Sequence, residues 1–521
     1  MNKIIKYIGI SVLGVTSMGS LISCDSFLDT LPDNRTELHN TSDVSRLLVS
    51  AYPTRHPAYL LEMESDNTDD NVNTGWNYAT RFQKQAYEWS DITETQDDEA
   101  PQTLWEAYYK AISTANVALQ FIGNDSTTYS TQMGEALMCR AYSAFMLSTI
   151  FCNAYDEKTS STELGIPYPT EPETEVGLKY DRGTLKDVYE KIDADLQKGL
   201  TLVSDNYTIP KYHFNRTAAY AFATRFYLYY HQYDKAIVYA TKALGSVPAN
   251  KLRDWATWNA LSKNDQIQPE AYANSNVTSN FLLLAVYSEW GAVCGPYSYG
   301  QKYAHDMNIA KDETIASTGP WGTYKNLYYG YFQNGSMANV FVRKMMYKFE
   351  YTDLQAKVGY AHNQIVAFNA EETLLCRAEA YALQHNYDAA IADINMLLSK
   401  FSKSQALSIA DVVSFYKGMN YYTPQAPTAK KKLKTSFLID SQTEEPLLQF
   451  ILHLRRILTI HEGLRWQDIK RYGITVYRRQ INSNGDLMTV TDSMSVNDPR
   501  YAIQLPQDVI NAGMTANPRN K

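Results

Sequence analysis

The sequence predicts a mainly α-helical protein: a tetratricopeptide-repeat-like scaffold with a loop-rich, mostly irregular lobe inserted into it. Three observations predict this. Apolar residues recur at helical spacing from residue 103 onward. Residues 217–244 align without gaps to 371–398, with Tyr233-Asp234-Lys235-Ala236-Ile237 falling on Tyr387-Asp388-Ala389-Ala390-Ile391. Between the two copies, residues 246–365 lose the periodicity and fill with Gly, Asn and aromatic residues.

The chain opens with Lys3 and Lys6, runs apolar from Tyr7 to Ile22, and reaches Cys24 after Leu21-Ile22-Ser23. The run is too short to span a bilayer, and a small residue before the cut is a secretory feature, so residues 1–23 read as a lipoprotein signal peptide. Cleavage would leave Cys24 as the N-terminus. Its thiolate would accept a diacylglyceryl group, each buried methylene contributing roughly 0.8 kcal/mol of membrane affinity. An ordinary signal peptide with an incidental cysteine is the alternative.

Residues 24–100 form a tether and loop segment contributing to the ligand face, and 101–245 the first helical region. Thr103 and Glu106 stand at capping-box spacing, and Trp105, Tyr109, Ile112, Ala115, Leu119 and Ile122 then share a face. The next helix carries Leu137, Ala141, Ala144 and Phe151. Thr184 and Asp187 make a second capping pair before Val188, Ile192, Leu196 and Leu200. In the duplicated segments, Ala236 and Ala390 let two antiparallel helices approach closely while the turn Tyr packs over them, which is tetratricopeptide-repeat design. The distance between the copies predicts repeats interrupted rather than stacked in one run. The aromatic lobe occupies 246–365, the helical region continues over 366–475, and 476–521 is a C-terminal segment.

At roughly 150 residues per domain, 521 residues suggest about three domains, or fewer in a helical array. A net charge of -8 argues against nucleic acid or anionic lipid as the main ligand. The basic run Lys430-Lys431-Lys432-Leu433-Lys434 follows Pro424 and Pro427, which predicts a solvated loop. Cys139, Cys152, Cys294 and Cys376 show no metal or redox spacing and read as small buried residues.

Signatures of catalysis are missing: no Gly-x-Ser-x-Gly, no phosphate-cradling Gly-Lys-Ser/Thr, and a His461-Glu462 without its second histidine. The sequence therefore predicts neither an enzyme nor a cofactor. Asp97-Asp98-Glu99 reads as a solvated acidic run rather than a glycosidase pair. Asp66, Asp69 and Asp70 offer the oxygens a structural calcium ion would need, without EF-hand spacing or its bidentate Glu. Side chains capping their own turn explain that loop equally well.

The aromatics are the better lead, with 41 Tyr, 17 Phe and 8 Trp. A sugar ring has an apolar C–H face and a hydroxyl rim, so its site needs flat aromatic platforms beside Asn, Asp or Arg. Trp76 with Asn73, Asn77 and Arg81 has that mix, as do Trp321, Tyr324 and Tyr328 with Asn326; Trp290 stands in the same Gly-rich segment. Burial in the core competes for every one of these aromatics.

The start Cys24-Asp-Ser-Phe-Leu-Asp29-Thr-Leu-Pro32, the blocks Glu62-Met-Glu-Ser-Asp66-Asn67 and Trp105 to Asn116, Arg455-Arg456 with Glu462-Gly463-Leu-Arg465-Trp466-Gln-Asp468-Ile-Lys-Arg471-Tyr-Gly473, and the tail Leu505-Pro506-Gln507 to Asn517-Pro518 together resemble the SusD/RagB family of Bacteroidota outer-membrane lipoproteins. Departures are Leu454 and Leu458, where the family usually has acids, and Arg519 after the tail motif in place of Gly. Arg455, Arg456, Glu462, Arg465 and Asp468 are placed to knit buried helix ends rather than to meet a ligand.

The resemblance implies non-catalytic capture of a glycan for polysaccharide utilization. It implies a lipid anchor at Cys24 on the outer membrane, facing the cell surface, and a SusC-like TonB-dependent transporter as partner. Two alternatives stay open: a peptide-binding member of the same family, and a repeat scaffold with no small ligand. Exposed aromatics in the middle segment favour a ligand, and a middle segment with every Trp buried favours the scaffold.

Overall fold

The duplicated segments fold into two antiparallel helix pairs, Arg216–Tyr229 with Tyr233–Leu244 and Ala370–Leu383 with Tyr387–Phe401. In the computed structural model, residues 38–72, 79–173, 178–294, 302–333 and 338–519 are described. Asn215 and Asn369 cap the first helix of each pair, their side chains accepting the N–H of Ala218 at 3.0 Å and of Glu372 at 2.8 Å. His231 and His385 take the left-handed conformation at matching turn positions, φ 58° and 59°. Ala236 and Ala390 are fully buried, so each pair closes to backbone-limited separation. Helix Ala370–Leu383 packs against both helices of the first pair. The repeats, interrupted along the chain, are therefore stacked neighbours in space; the intervening lobe loops out and returns.

Ahead of them lie Pro101–Ile122, Ser130–Phe151 and Leu185–Leu200. Pro101 starts the first with its pre-set φ. Thr103 sits inside this helix and back-bonds to the carbonyls of Asp97 and Ala100 at 2.9 Å, so the expected capping box with Glu106 does not form. The box at Thr184 and Asp187 does form, both bonds at 3.1 Å. Helix Ser130–Phe151 is buried around its whole circumference from Met133 onward, the signature of a central helix. Cys139, Cys152 and Cys376 are buried free thiols. No helix among the described residues is long and apolar enough to cross a membrane.

The middle segment is more regular than expected. Strands are β1 (Asp69–Asn71), β2 (Asn280–Val286), β3 (Tyr303–Ala304), β4 (Phe332–Gln333), β5 (Val340–Phe341), β6 (Met346–Asp353), β7 (Val358–Asn369), β8 (Val476–Ile481) and β9 (Leu487–Met494). They form three sheets, ordered β3-β1-β8-β9, β2-β7-β6 and β4-β5. The runs Phe281-Leu-Leu-Leu284 and Ile365-Val-Ala-Phe368 are buried and paired, Leu283 facing Val366 and Leu284 facing Ile365. Continuous apolar runs of this length suit a strand packed on both faces, a pattern that helical periodicity does not register.

A buried seam of charge joins the lobe to the helices. Arg456 donates to Asn67 Oδ1 at 2.8 Å and to Glu313 at 2.9 Å, and Arg455 donates to Asp468 at 3.1 Å. Lys431 reaches Glu313 at 2.6 Å. Lys431 is thus buried rather than part of a solvated loop, because the carboxylates of the seam need a cation, and Lys430 is buried because its ammonium donates to the carbonyls of Tyr416 and Met419 at 2.7 and 3.2 Å. Glu99 corrects the acidic-run expectation similarly: it is fully buried and accepts the N–H groups of Tyr59 and Leu60 at 2.7 and 3.0 Å.

Candidate functional site

One group of tyrosines that reach the surface of the lobe lies over residues 324–331, with Tyr324 exposed and Tyr328 and Tyr331 half-buried. A 3₁₀ turn, Tyr324–Asn326, carries the first of them, and Tyr324 is 43 % exposed. Asn326 ties the turn down by donating from Nδ2 to the Trp321 carbonyl at 2.8 Å. Tyr328 N–H donates to the Phe401 carbonyl at 2.8 Å and Lys403 N–H to that of Asn326 at 2.7 Å, which fastens the segment to the end of the second repeat pair. Tyr328 is half-buried with the Lys403 ammonium 5.7 Å from its ring. Lys263 Nζ donates to the Tyr331 carbonyl at 3.2 Å, and burial lowers its pKa. Burial, and Tyr324 beside it, push the Tyr331 hydroxyl up.

The base is rigid. Tyr329 points inward to Trp255, Trp258 and Phe401 at ring distances of 5.0, 5.9 and 5.5 Å. Alternation along Tyr328-Tyr329 thus sends one ring to the core and leaves its neighbour on the surface. Three tyrosines with Lys263, Lys403 and Asn326 at the rim offer apolar ring faces beside hydrogen-bond donors. Such a surface can hold an amphiphilic ligand such as a sugar chain.

Of the residues expected to touch ligand, Tyr324 lies on this face. Trp76 and Asn77 lie outside the described residues. Arg81 is exposed at the start of helix Arg81–Tyr87, its guanidinium bonded to the Thr93 hydroxyl, and no contact joins it to Tyr324. Trp321 and Trp290 are corrections. Trp321 is 1 % exposed, packed 4.9 Å from the His453 ring and 6.0 Å from Phe450. Gly319 and Gly322 exchange backbone hydrogen bonds at 3.0 and 2.8 Å, Gly322 at φ +89°, and wrap a turn around the indole. The glycines that suggested an exposed loop are what tuck the ring in. Trp290 is 3 % exposed, edge-on to Tyr59 at 4.8 Å and 4.3 Å from His461. Trp255 and Trp258 are buried too.

The calcium candidates fail on their donor set. Both Asp66 oxygens take Arg465, at 2.7 and 2.9 Å, and Asp69 takes Arg479 at 2.9 and 2.6 Å. Asp70 is bonded to Gln480 at 3.1 Å and lies 3.5 Å from Lys302. Each carboxylate already has a cation or amide donor from another segment, so neither a calcium cage nor a self-capped turn describes them. Among the described residues no three His, Cys, Asp or Glu side chains converge as metal ligands. His305 and His453 are driven down to about 3 by burial, which leaves them neutral packing groups rather than bases.

Sequence reasoning missed Lys263, whose place depends on tertiary contacts, and the β6–β7 hairpin, which exposes Phe349, Tyr351 and Tyr360. Strict alternation in Lys348-Phe-Glu-Tyr351 was the available signal for that strand.

Comparison with known proteins accords with this architecture. Residues 26–228 match a family model, SusD-like_3, described as starch-binding associating with outer membrane. A SusD-like protein of Formosa agariphila is 25 % identical over 279 residues, 51 % of this chain and 51 % of its own length; the match spans about half of that relative. A crystal structure of a SusD superfamily protein from Bacteroides vulgatus superposes with a TM-score of 0.64 at 16 % identity, covering 93 % of this chain and all (100 %) of the other. A laminarin-binding SusD-like protein superposes with a TM-score of 0.56 at 15 % identity, covering 92 % of this chain and 100 % of the other. At these identities the structures speak for the fold alone.

Proposed function

We propose that this chain, which belongs to the SusD/RagB family, holds oligosaccharide or polysaccharide at the outer membrane without cleaving it and passes it to a SusC-like TonB-dependent transporter. The observation that carries the reading is the row Tyr324, Tyr328 and Tyr331, held on a rigid aromatic base with cations and a carboxamide at its edge. The family's association with starch and with the outer membrane supports the ligand class and the location. The lipid on Cys24 and the transporter partnership come from the resemblance; Cys24 lies outside the described residues. The acids of the seam are committed to ion pairs, which supports capture without bond cleavage.

One observation favours a scaffold without small ligand: all four tryptophans between 246 and 365 are buried. Exposed Tyr324, with Tyr331 beside it, weighs against it. The test is a titration of the purified chain with soluble starch and laminarin, repeated with Tyr324→Ala and Tyr328→Ala. Binding by wild type that both variants weaken is the expected result. Binding that neither variant changes removes the tyrosine face, and no saccharide binding at all hands the case to the scaffold or peptide reading.

A further inference from the structure

We infer that the chain holds a second saccharide-sized site, on its helical side, in a cleft of about 400 Å³ between the end of helix Ser130–Phe151, the turn of the first repeat pair and the strap 434–436. The inference rests on the glycan reading above but on none of the tyrosine-face residues. Asn153, Tyr155, Asp156, His231, Lys434 and Asn497 are the lining groups that matter.

Three of them have polar atoms unused by the protein. Neither the Asn153 nor the Asn497 carboxamide is hydrogen-bonded to any described residue, and the Tyr155 hydroxyl has no partner either. Tyr155 is only 9 % exposed, its ring packed 4.8 Å from both Tyr189 and Tyr230 and edge-on to His231 at 6.1 Å. Its hydroxyl is not among the sealed, unsatisfied atoms of the interior, so it opens into the cleft. A buried phenol with a free, accessible hydroxyl beside two free carboxamides is a donor and acceptor set without an internal purpose.

The walls are fixed before any ligand arrives. Lys470 forms the floor, its ammonium donating to the carbonyls of Thr149 and Cys152 at 2.7 and 2.8 Å. Lys434 N–H donates to the Tyr472 carbonyl at 2.7 Å, an approach that Gly473, at φ +58°, permits by having no side chain against the Lys434 backbone. His231 and Asn497 both hold left-handed backbone, φ 58° and 67°, at the rim.

Charge selects the ligand class. Lys434 and Lys470 are balanced by Asp156 and Glu163 across the same space, and Arg471, which also lines it, is already paired with Glu379. An anion meets the carboxylates and a cation meets the ammonium groups, whereas a neutral ligand meets neither penalty. Carboxamides match vicinal hydroxyls by donating to one and accepting from the next. The volume lies in the range of small-ligand sites, roughly 300–1,000 Å³.

The test is calorimetric titration of the purified chain with maltotriose and with laminaritriose. Two sites per chain are expected for a trisaccharide that binds. The double variant Asn153→Ala/Asn497→Gly should weaken one of them by at least roughly tenfold, about one hydrogen bond's worth, and leave the other. Asn497→Gly also relieves the left-handed backbone, so loss of fold is not expected. Tyr155→Phe keeps the ring packing and should weaken the same site on its own. Wild-type binding left unchanged by both variants overturns the cleft while the proposed function stands. Absence of saccharide binding by wild type overturns both. A single site that vanishes with the cleft variants supports the cleft and removes the tyrosine face.

Discussion

Arg465 grips Asp66 with two parallel bonds, Nε at 2.7 Å and Nη2 at 2.9 Å, across 399 residues of chain. Both side chains are more than nine-tenths buried. Burial alone raises the Asp66 carboxyl, but Arg456, Arg465 and Lys431 outweigh it and hold it well below the carboxylate range. The pair ties the segment between helix Ala58–Glu64 and β1 to helix Arg465–Tyr472. Asp66→Asn should cost about 3–5 kcal/mol, the usual result of leaving a buried cation unpaired. Urea unfolding measures it, and a loss of no more than a surface substitution would refute the role.

Trp321 and Tyr324 should separate structure from binding. Trp321→Ala opens a cavity beside Phe450 and His453 and should cost about 3–5 kcal/mol. Tyr324→Ala, at an exposed turn, should change stability by no more than about 0.5 kcal/mol while weakening glycan capture. Thermal melts of the two variants check this, and equal melting shifts contradict it.

Glu313 predicts an acid-linked loss of stability. Burial raises its carboxyl, but Lys431, Arg456 and Arg479 prevail and hold it at about 2, below the ordinary 4.5. A depressed folded value means the stabilisation is complete above 4.5 and drains away as pH falls toward 2. Glu313→Gln should therefore be less stable than wild type at neutral pH, with the difference shrinking over that acidic interval. Urea midpoints across the interval decide it; a gap that widens in acid has the wrong sign.

Gly473→Ala meets two obstacles, the left-handed backbone and the Lys434 carbonyl pressed against it. The strain should cost about 1–3 kcal/mol and shift the 434–436 strap. Hydrogen exchange at the Lys434 amide, which donates to Tyr472, should quicken in the variant. Unchanged protection there would show that the strap does not depend on the glycine.

The helical half was legible because its signals are local: Thr184 and Asp187 as a capping pair, Ala236 and Ala390 as contact residues, and a repeat visible by alignment. Thr103 misled because a hydroxyl at the right spacing can back-bond inside a helix as readily as it caps one. The lobe was harder. Glycines beside Trp321 describe equally a loop that displays an indole and one that swallows it, and only Phe450 and His453, distant in sequence, decide between them. Lys431 and Glu99 show the same limit for charge, since a basic or acidic run reads as solvated until its far partner is known. Tyr324 is exposed because its turn has its own local tie, Asn326 to the Trp321 carbonyl.

The lobe leaves the scaffold at Leu244 and rejoins it at Ala370, and the helices bearing those two residues lie side by side. An insertion whose ends meet exerts no leverage on its host. The helical frame can keep one shape while parts of the inserted cassette away from Glu313 and its buried cations, such as the β6–β7 hairpin, are lengthened or trimmed. Diversification of what is captured is thereby uncoupled from whatever the frame itself must fit.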